Sequence, residues 1–362
     1  MLEINQFSGC YRGRRVLITG HTGFKGSWLT LWLHELGASV TGLALEPETI
    51  PAHWSLLKLP VTDERCDIRN YAAVESVMAE AQPEIVFHLA AQPIVRLSYR
   101  SPLDTWSTNL MGTANVLEAV RRQVSVRAIV VVTTDKCYEN QEWCWGYRET
   151  DRLGGHDPYS ASKAGVELVA ASYRNSFFRS EAGPLLATAR AGNVIGGGDW
   201  SEDRLIPDLV RAVERQASLE IRSPTATRPW QHVLESLSGY LLLGQRLLAG
   251  DRSCADAWNF GPRQEDNRSV AEILDRIGRQ WPGMNWRLTE RPQPYEASNL
   301  HLDSAKARAV LQWRPVWDLD SAILRTADWY HAWLAEQRVI SRHQLYNYVI
   351  EAAQVGLGWT KS

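Results

Sequence analysis

The apolar run Val16-Leu17-Ile18 passes without a break into Thr19-Gly20-His21-Thr22-Gly23-Phe24-Lys25-Gly26, and no other segment limits the possible folds so sharply. Glycines at the G-x-x-G-x-x-G spacing let a backbone come close to a pyrophosphate. The helix opening behind them offers that anion unpaired N–H groups and a partial positive charge. An ordinary strand-to-helix turn is the competing explanation. The position near the chain start, after a buried strand and before an amphipathic helix, favours a dinucleotide cradle lined by Gly20, Thr22, Gly23, Phe24 and Gly26. Lys25 stands where it adds charge to the same phosphates, with a solvated lysine as the alternative.

Short apolar runs continue along the first half of the chain. Val40 to Leu45, Ile85-Val86-Phe87, Ala128 to Val132 and Leu185 to Ala189 read as buried strands, and the spacers between them are long enough for crossover helices. This alternation predicts an α/β fold, a doubly wound parallel sheet of Rossmann type, over residues 1–191. With 362 residues the chain exceeds what one core usually holds, and after Gly192 its texture turns rich in glycine, proline and tryptophan. Residues 192–362 are therefore expected to form mainly a smaller C-terminal substrate-binding lobe, with Ala255 to Gly261 returning to the first domain.

Charge decides which partners to exclude. Lys plus Arg number 39 against 41 for Asp plus Glu, so no global field attracts nucleic acid or an acidic membrane, and any phosphate must be met by local cations. The five cysteines form no C-x-x-C pair and the histidines have no metal spacing, so neither a disulfide framework nor a metal site is expected. Glu3, Asn5 and Gln6 interrupt the apolar run that a signal peptide needs, and no stretch reaches membrane-spanning length. A cytoplasmic enzyme is the expectation.

Dinucleotide folds usually carry an acid about 20 residues beyond the glycine turn to hold the adenosine ribose. Here Leu43-Ala44-Leu45 takes that place, with Glu46 slightly late, and no Arg or Lys lies near the strand end in sequence to pair with a 2′-phosphate. NAD is favoured on that ground. Asp67-Ile68 suits the adenine edge, unless Asp67 simply caps the helix that begins near Asn70.

Tyr159 and Lys163 stand at positions i and i+4, which share one face of a helix. The Lys163 ammonium is then expected to lower the pKa of the Tyr159 hydroxyl and make it a usable base. Thr134, at the carboxyl end of the strand Ala128 to Val132, falls where such sheets bind their ligands.

With these residues the chain resembles the extended short-chain dehydrogenase/reductase class over nearly its whole length. His88-Leu89-Ala90-Ala91, Asn109 and Arg190-Ala-Gly-Asn193 add to the likeness. The resemblance implies that Leu89, Ala90 and Ala91 border the cofactor. It also implies that helices around Asn109 to Arg121 and Tyr159 to Phe178 pair subunits into a homodimer or homotetramer.

Asp135 narrows the resemblance, because sugar-nucleotide 4,6-dehydratases place an acid beside the threonine whereas epimerases of the class generally do not. Lys136 stands where dTDP- and GDP-sugar dehydratases carry Glu. Thr133-Thr-Asp-Lys-Cys-Tyr-Glu-Asn140 and Gly20-His-Thr-Gly-Phe-Lys-Gly-Ser-Trp28 are similar to the CDP-glucose 4,6-dehydratases. Taken alone, adjacent charges after a strand are more often a surface ion pair. The resemblance implies oxidation at C4 assisted by Thr134 and Tyr159, loss of the 6-hydroxyl as water with Asp135 as acid and Lys136 as base or charge stabiliser at C5, and return of hydride to C6. It places Asn193, Arg204 and Arg228 on the sugar and diphosphate, with Arg96 and Arg291 as further substrate cations, in an unusual-deoxysugar route such as that of lipopolysaccharide. A dTDP-glucose or GDP-mannose dehydratase, a UDP-sugar 4-epimerase and a non-catalytic nucleotide-binding scaffold are the rivals. The 16 tryptophans are expected mostly in core or interface packing, with one of Trp143, Trp145, Trp200 and Trp230 available to stack on a base.

Overall fold

The computed structural model describes residues 6–281, 283–290 and 299–361. Six strands follow one another through the first half: β1 (Arg15–Thr19), β2 (Ser39–Ala44), β3 (Thr62–Arg65), β4 (Ile85–His88), β5 (Ala128–Val132) and β6 (Leu185–Ala191). They lie in the order β3-β2-β1-β4-β5-β6, all parallel, and Ala257–Phe260 joins as a seventh strand beside β6. This is the doubly wound sheet expected.

Successive strand residues point to opposite faces, and that sorts the apolar side chains into two layers. Leu17, Val86, Ile129, Val131 and Leu186 pack with Val74 and Met78 of helix Tyr71–Ala81, Val116 and Val120 of Gly112–Arg121, and Val166 and Ala170 of Pro158–Ser176. Val16, Ile18, Phe87, Val130 and Ala187 face the other way, onto Trp28 and Trp32 of helix Phe24–Glu35 and Leu237 and Leu241 of helix Val233–Leu248. Covered on both sides, β4, β5 and β6 are buried at every position, which explains why β5 is wholly apolar and β4 and β6 are mostly so. β3, at the sheet edge, carries Thr-Asp-Glu-Arg and is mostly exposed.

The break at residue 191 does not divide the molecule cleanly. Helix Val233–Leu248 and strand Ala257–Phe260 come from the second half yet complete the sheet layer. What the second half adds on its own is a set of short ladders: Val194–Ile195 with Gln231–His232, Thr227–Pro229 with Asn267–Ser269, and Leu219–Ile221 with Trp286–Leu288. Val194–Ile195, Leu219–Ile221 and Arg228 of these ladders line a cavity at the carboxyl ends of the strands.

Most described tryptophans are structural. Trp28, Trp32, Trp258, Trp313 and Trp329 are fully buried, and the indole N–H of Trp28 donates to the Gly197 carbonyl while those of Trp313 and Trp329 donate to Ser238 and Ser341. Of the four named as base-stacking candidates, Trp200 packs against Trp329 and Trp333, and Trp143 against Trp145 and Tyr147. Trp230 is buried with its N–H on the Arg268 carbonyl. All five cysteines are free thiols. Among the described residues no helix is long and apolar enough to cross a membrane, and no group of His, Cys, Asp or Glu is placed to hold a metal ion.

Candidate active site

The strand order reverses between β1 and β4, and a cavity of about 900 Å³ opens there at the carboxyl ends of the strands. Its floor is the glycine turn. Gly20 has φ +77°, and a Cβ on it would lie 2.7 Å from the Ala90 nitrogen; a Cβ on Gly26 would lie 2.0 Å from the Gly20 oxygen. Side chains at these two positions would push the turn off β4 and off its own helix. Gly23 precedes helix Phe24–Glu35 and gives it no side-chain cap, so the first N–H groups of that helix are available to an anion. Thr19 Oγ1 accepts from the N–H groups of Leu89 and Ala90 at 3.2 and 3.1 Å and is hydrogen-bonded to His88, which is bonded in turn to Thr113. This chain seals β1 to β4, so that Leu89-Ala90-Ala91 forms the second lip of the groove. A dinucleotide fits these residues. Burial lowers the His88 pKa to about 3, so its ring is a neutral tie rather than a proton carrier.

At the far lip the structure corrects the sequence. An arginine does lie at the end of β2: register pairs Ala44 with Arg65 of β3. Arg65 donates to the Leu45 carbonyl at 3.2 Å and pairs with Glu46 at 3.1 Å and Asp63 at 2.8 Å. Two carboxylates already hold it, so a 2′-phosphate would have to displace them. Asp67 lines the cavity with Ile68 and grips Arg69, while Asn70 caps the following helix by accepting from the Ala73 N–H. The cap role considered for Asp67 belongs to Asn70.

Lys25 is also corrected. Rather than turning to the phosphate groove, its Nζ donates to the Tyr240 hydroxyl at 3.3 Å. Burial lowers its pKa to about 7, with the cations of Arg204, Lys163 and Lys136 acting in the same direction. It is a member of the reaction-side charge cluster.

Thr134, Asp135 and Lys136 turn out of β5 in a single 3-10 turn that Thr134 caps. Thr134 Oγ1 donates to Asp135 Oδ1 at 2.9 Å, and Lys136 Nζ lies 3.6 Å from the same oxygen. The surface-pair explanation for Asp135 and Lys136 fails, because the Asp135 side chain is 1 % exposed. Its Oδ2 is buried with no hydrogen-bond partner and points at Gly192, where a Cβ would lie 3.2 Å away. Tyr159 and Lys163 project from helix Pro158–Ser176, whose start is held by Asp157 accepting from the Ser160 N–H.

The expected tuning of Tyr159 by Lys163 is not what the structure shows. Burial raises the Tyr159 pKa to about 12, opposed by the Thr134 hydrogen bond and the Arg204 charge, and burial likewise lowers Lys163 to about 8. Lys163 Nζ lies 3.5 Å from the Val132 carbonyl. A shared helix face brings both groups to the cavity, but desolvation is the largest influence on each.

One turn further along that face is Glu167, which the sequence reading missed. Its carboxylate accepts from Thr133, from Thr188 at 2.7 Å, and from Arg190 in a two-pronged bond at 2.9 and 2.8 Å. Arg190 also donates to the Tyr138 hydroxyl, which donates to Asn259 on the seventh strand. The 159/163/167 spacing was the available signal.

On the opposite wall Asn193, Arg204, Arg228 and Arg96 all line the same cavity, while Arg291 lies outside the described residues. Arg204 is 3.7 Å from Asp199, Arg228 is buried with its guanidinium on the Thr227 carbonyl, and Arg96 pairs with Asp203 at 2.7 Å. Asp203 and Arg222, both on this wall, had not been singled out.

A doubly wound sheet with a glycine cradle after its first strand, and with Thr134, Tyr159 and Lys163 at one cavity, defines an enzyme of the extended short-chain dehydrogenase/reductase class. The family model described as GDP-mannose 4,6 dehydratase matches residues 17–326, and the chain belongs to that family of nucleotide-sugar 4,6-dehydratases. It is 47% identical over 348 residues to a CDP-glucose 4,6-dehydratase of Salmonella typhimurium, covering 94% of this chain and 97% of the relative. Among solved structures, an epimerase of Methanothermobacter thermautotrophicus superposes with a TM-score of 0.80 at 25% identity, over 94% of this chain and 97% of the other. A dTDP-glucose 4,6-dehydratase of Streptomyces venezuelae, solved with NAD bound, does so with a TM-score of 0.74 at 24% identity, over 88% and 97%.

Proposed function

We propose that the protein converts CDP-glucose to CDP-4-dehydro-6-deoxyglucose and water, with NAD as a retained cofactor held by Gly20, Thr22, Gly23, Phe24, Gly26, Asp67, Ile68 and Leu89 to Ala91. The observation that carries this reading is Asp135: a carboxyl group buried beside Thr134 at the cavity lining, with one oxygen unpaired. A 4-epimerase has no use for such a group, and a scaffold has no reason to keep one unsatisfied.

When bound, NAD supplies the acceptor for the C4 hydrogen and the donor for C6. Tyr159 takes the proton of the 4-hydroxyl, and Thr134 bonds the same oxygen. Burial, the largest influence on the tyrosine, holds its proton on, while the Thr134 hydrogen bond and the Arg204 charge favour its release. The resulting 4-ketone acidifies C5. Asp135 Oδ1 is committed to Thr134 and Lys136, so Oδ2 is the oxygen left to act as acid toward the departing 6-hydroxyl. Lys136, a quarter exposed, either takes the C5 proton or stabilises the enolate by charge. Asn193, Arg204 and Arg228 hold the sugar and the diphosphate, the local cations that a chain of near-zero net charge requires.

We further propose that the protein works in the cytoplasm as a homodimer or homotetramer. The helices expected to pair subunits carry exposed Met111, Leu168 and Phe177, apolar groups that a second copy would cover.

The test is incubation with CDP-glucose, dTDP-glucose, GDP-mannose and UDP-glucose in turn, followed by mass spectrometry. Loss of one water from CDP-glucose is the expected result. Loss from another sugar nucleotide alone would move the substrate, and no loss from any would return the epimerase and scaffold readings.

A further inference from the structure

We infer that Asp203 and Arg222 together read the nucleotide base, presenting an acceptor and a two-pronged donor that match the edge of cytosine. The inference rests on the CDP-sugar reading and adds the residues that choose the base.

Position comes first. The cavity runs from the glycine cradle past Thr134 and Tyr159 to the wall built from residues 203–208 and 219–223. Arg204 acts on Tyr159 and Lys25, so it belongs to the reacting end. Asp203, its neighbour in sequence, has different partners. Its backbone has φ +58°, a left-handed conformation uncommon for a residue with a side chain, and its carboxylate meets Arg96 at 2.7 Å and Arg222 at 3.8 Å. A nucleoside diphosphate sugar with its sugar at Tyr159 and its phosphates at Arg204 and Arg228 extends its base toward this wall.

Chemistry selects the base. Among the described residues, both ion pairs of Asp203 run through Oδ1. Oδ2 and the N–H fork of Arg222 are the groups left to face a ligand, and both side chains remain partly exposed in the cavity. An adjacent carboxylate and guanidinium offer acceptor, donor, donor in sequence. Along its pairing edge cytosine offers donor, acceptor, acceptor: the N4 amine, N3 and O2. Uracil and thymine set a carbonyl oxygen against Asp203 and an N–H against Arg222. Guanine opposes the pair at every position. Pro207, Leu219 and Val270 line the same region and supply apolar contact for a ring face. Arg96 is then a positioning residue that steadies Asp203 through their ion pair.

The test is titration of the NAD-loaded enzyme with CDP, UDP and dTDP, followed calorimetrically. The wild-type protein is expected to bind CDP at least about 100-fold more tightly than UDP, because two mismatched polar contacts in a partly desolvated site are each costly. Arg222→Gln is expected to weaken CDP binding by about 30-fold. It should leave UDP binding unchanged or stronger, since an amide both donates and accepts. Asp203→Asn, able to donate to O4, should strengthen UDP binding outright, a gain that misfolding does not produce. Parallel loss of CDP and UDP in both variants would assign the pair to phosphate binding and overturn the inference, as would an undiminished preference for CDP. A wild-type preference for UDP or dTDP would overturn the CDP-sugar reading itself.

Discussion

Glu167 and Asp135 are both buried carboxylates at the end of β5, reached by consecutive threonines, and they are treated in opposite ways. Thr133 points to one face of the sheet and bonds Glu167; Thr134 caps the turn on the cavity side and bonds Asp135. Glu167 accepts four hydrogen bonds, two from Arg190, and its pKa is lowered even though burial opposes its charge. Asp135 has one hydrogen bond and a lysine at 3.6 Å, with Oδ2 left unpaired. An unsatisfied buried oxygen costs roughly 1 to 3 kcal/mol. The saturated carboxylate ties helix to sheet, and the unsaturated one is the group that the proposed mechanism uses as acid. Stability is given up where reactivity is wanted.

Asp135→Asn probes the larger side of this difference. The amide keeps the shape and the Thr134 bond but delivers no proton, so kcat should fall by about 1000-fold, worth about 4 kcal/mol of barrier. The melting temperature should stay level or rise. A variant that dehydrates normally would remove the acid from the scheme. Glu167→Gln should show the reverse profile. It leaves Arg190 buried without its counter-charge and is expected to lower stability by about 3 to 4 kcal/mol, read from urea unfolding. Unchanged stability would mean that the two carboxylates do not differ as described. Lys136→Met, on the reactive side, should cost about 100-fold in rate. Solvent deuterium still entering C5 in that variant would make the lysine a charge stabiliser, and its absence would make it the base.

The pH profile gives a smaller effect that links the two sides. Lys163 loses its proton near pH 8 because burial disfavours the ammonium, while Glu167 opposes that shift. Activity should therefore decline as pH rises through about 8, and in folded Glu167→Gln enzyme the decline should begin at lower pH. A limb that does not move would show that Glu167 has no hold on the site's protons. Glu46→Gln should change least. Glu46 is exposed, so stability should alter by less than about 0.5 kcal/mol, yet Arg65 loses a partner and NADP should bind the apoprotein several-fold more tightly.

Local patterns carried much of the molecule in the sequence. The glycine turn, the apolar strands and the Tyr159–Lys163 spacing are contiguous, and each has a single physical reading once its neighbours are considered. Groups brought together by sheet register or by lobe packing were invisible. Arg65 meets Glu46 because β3 lies beside β2, Asp203 meets Arg222 across a loop and a ladder, and Glu167 meets Arg190 across the helix–sheet interface. Lys25 was misplaced for the same reason, since Tyr240 is remote in sequence. The tuning of Tyr159 failed differently: spacing predicts which charges meet, whereas the size of the shift depends on burial.

CDP-glucose carrying deuterium at C4 tests the dehydratase mechanism most directly. The product is expected to have lost one water and to carry the deuterium at C6, its C5 hydrogen exchanged with solvent. Deuterium retained at C4 in a product of unchanged mass would contradict dehydration and point instead to epimerisation.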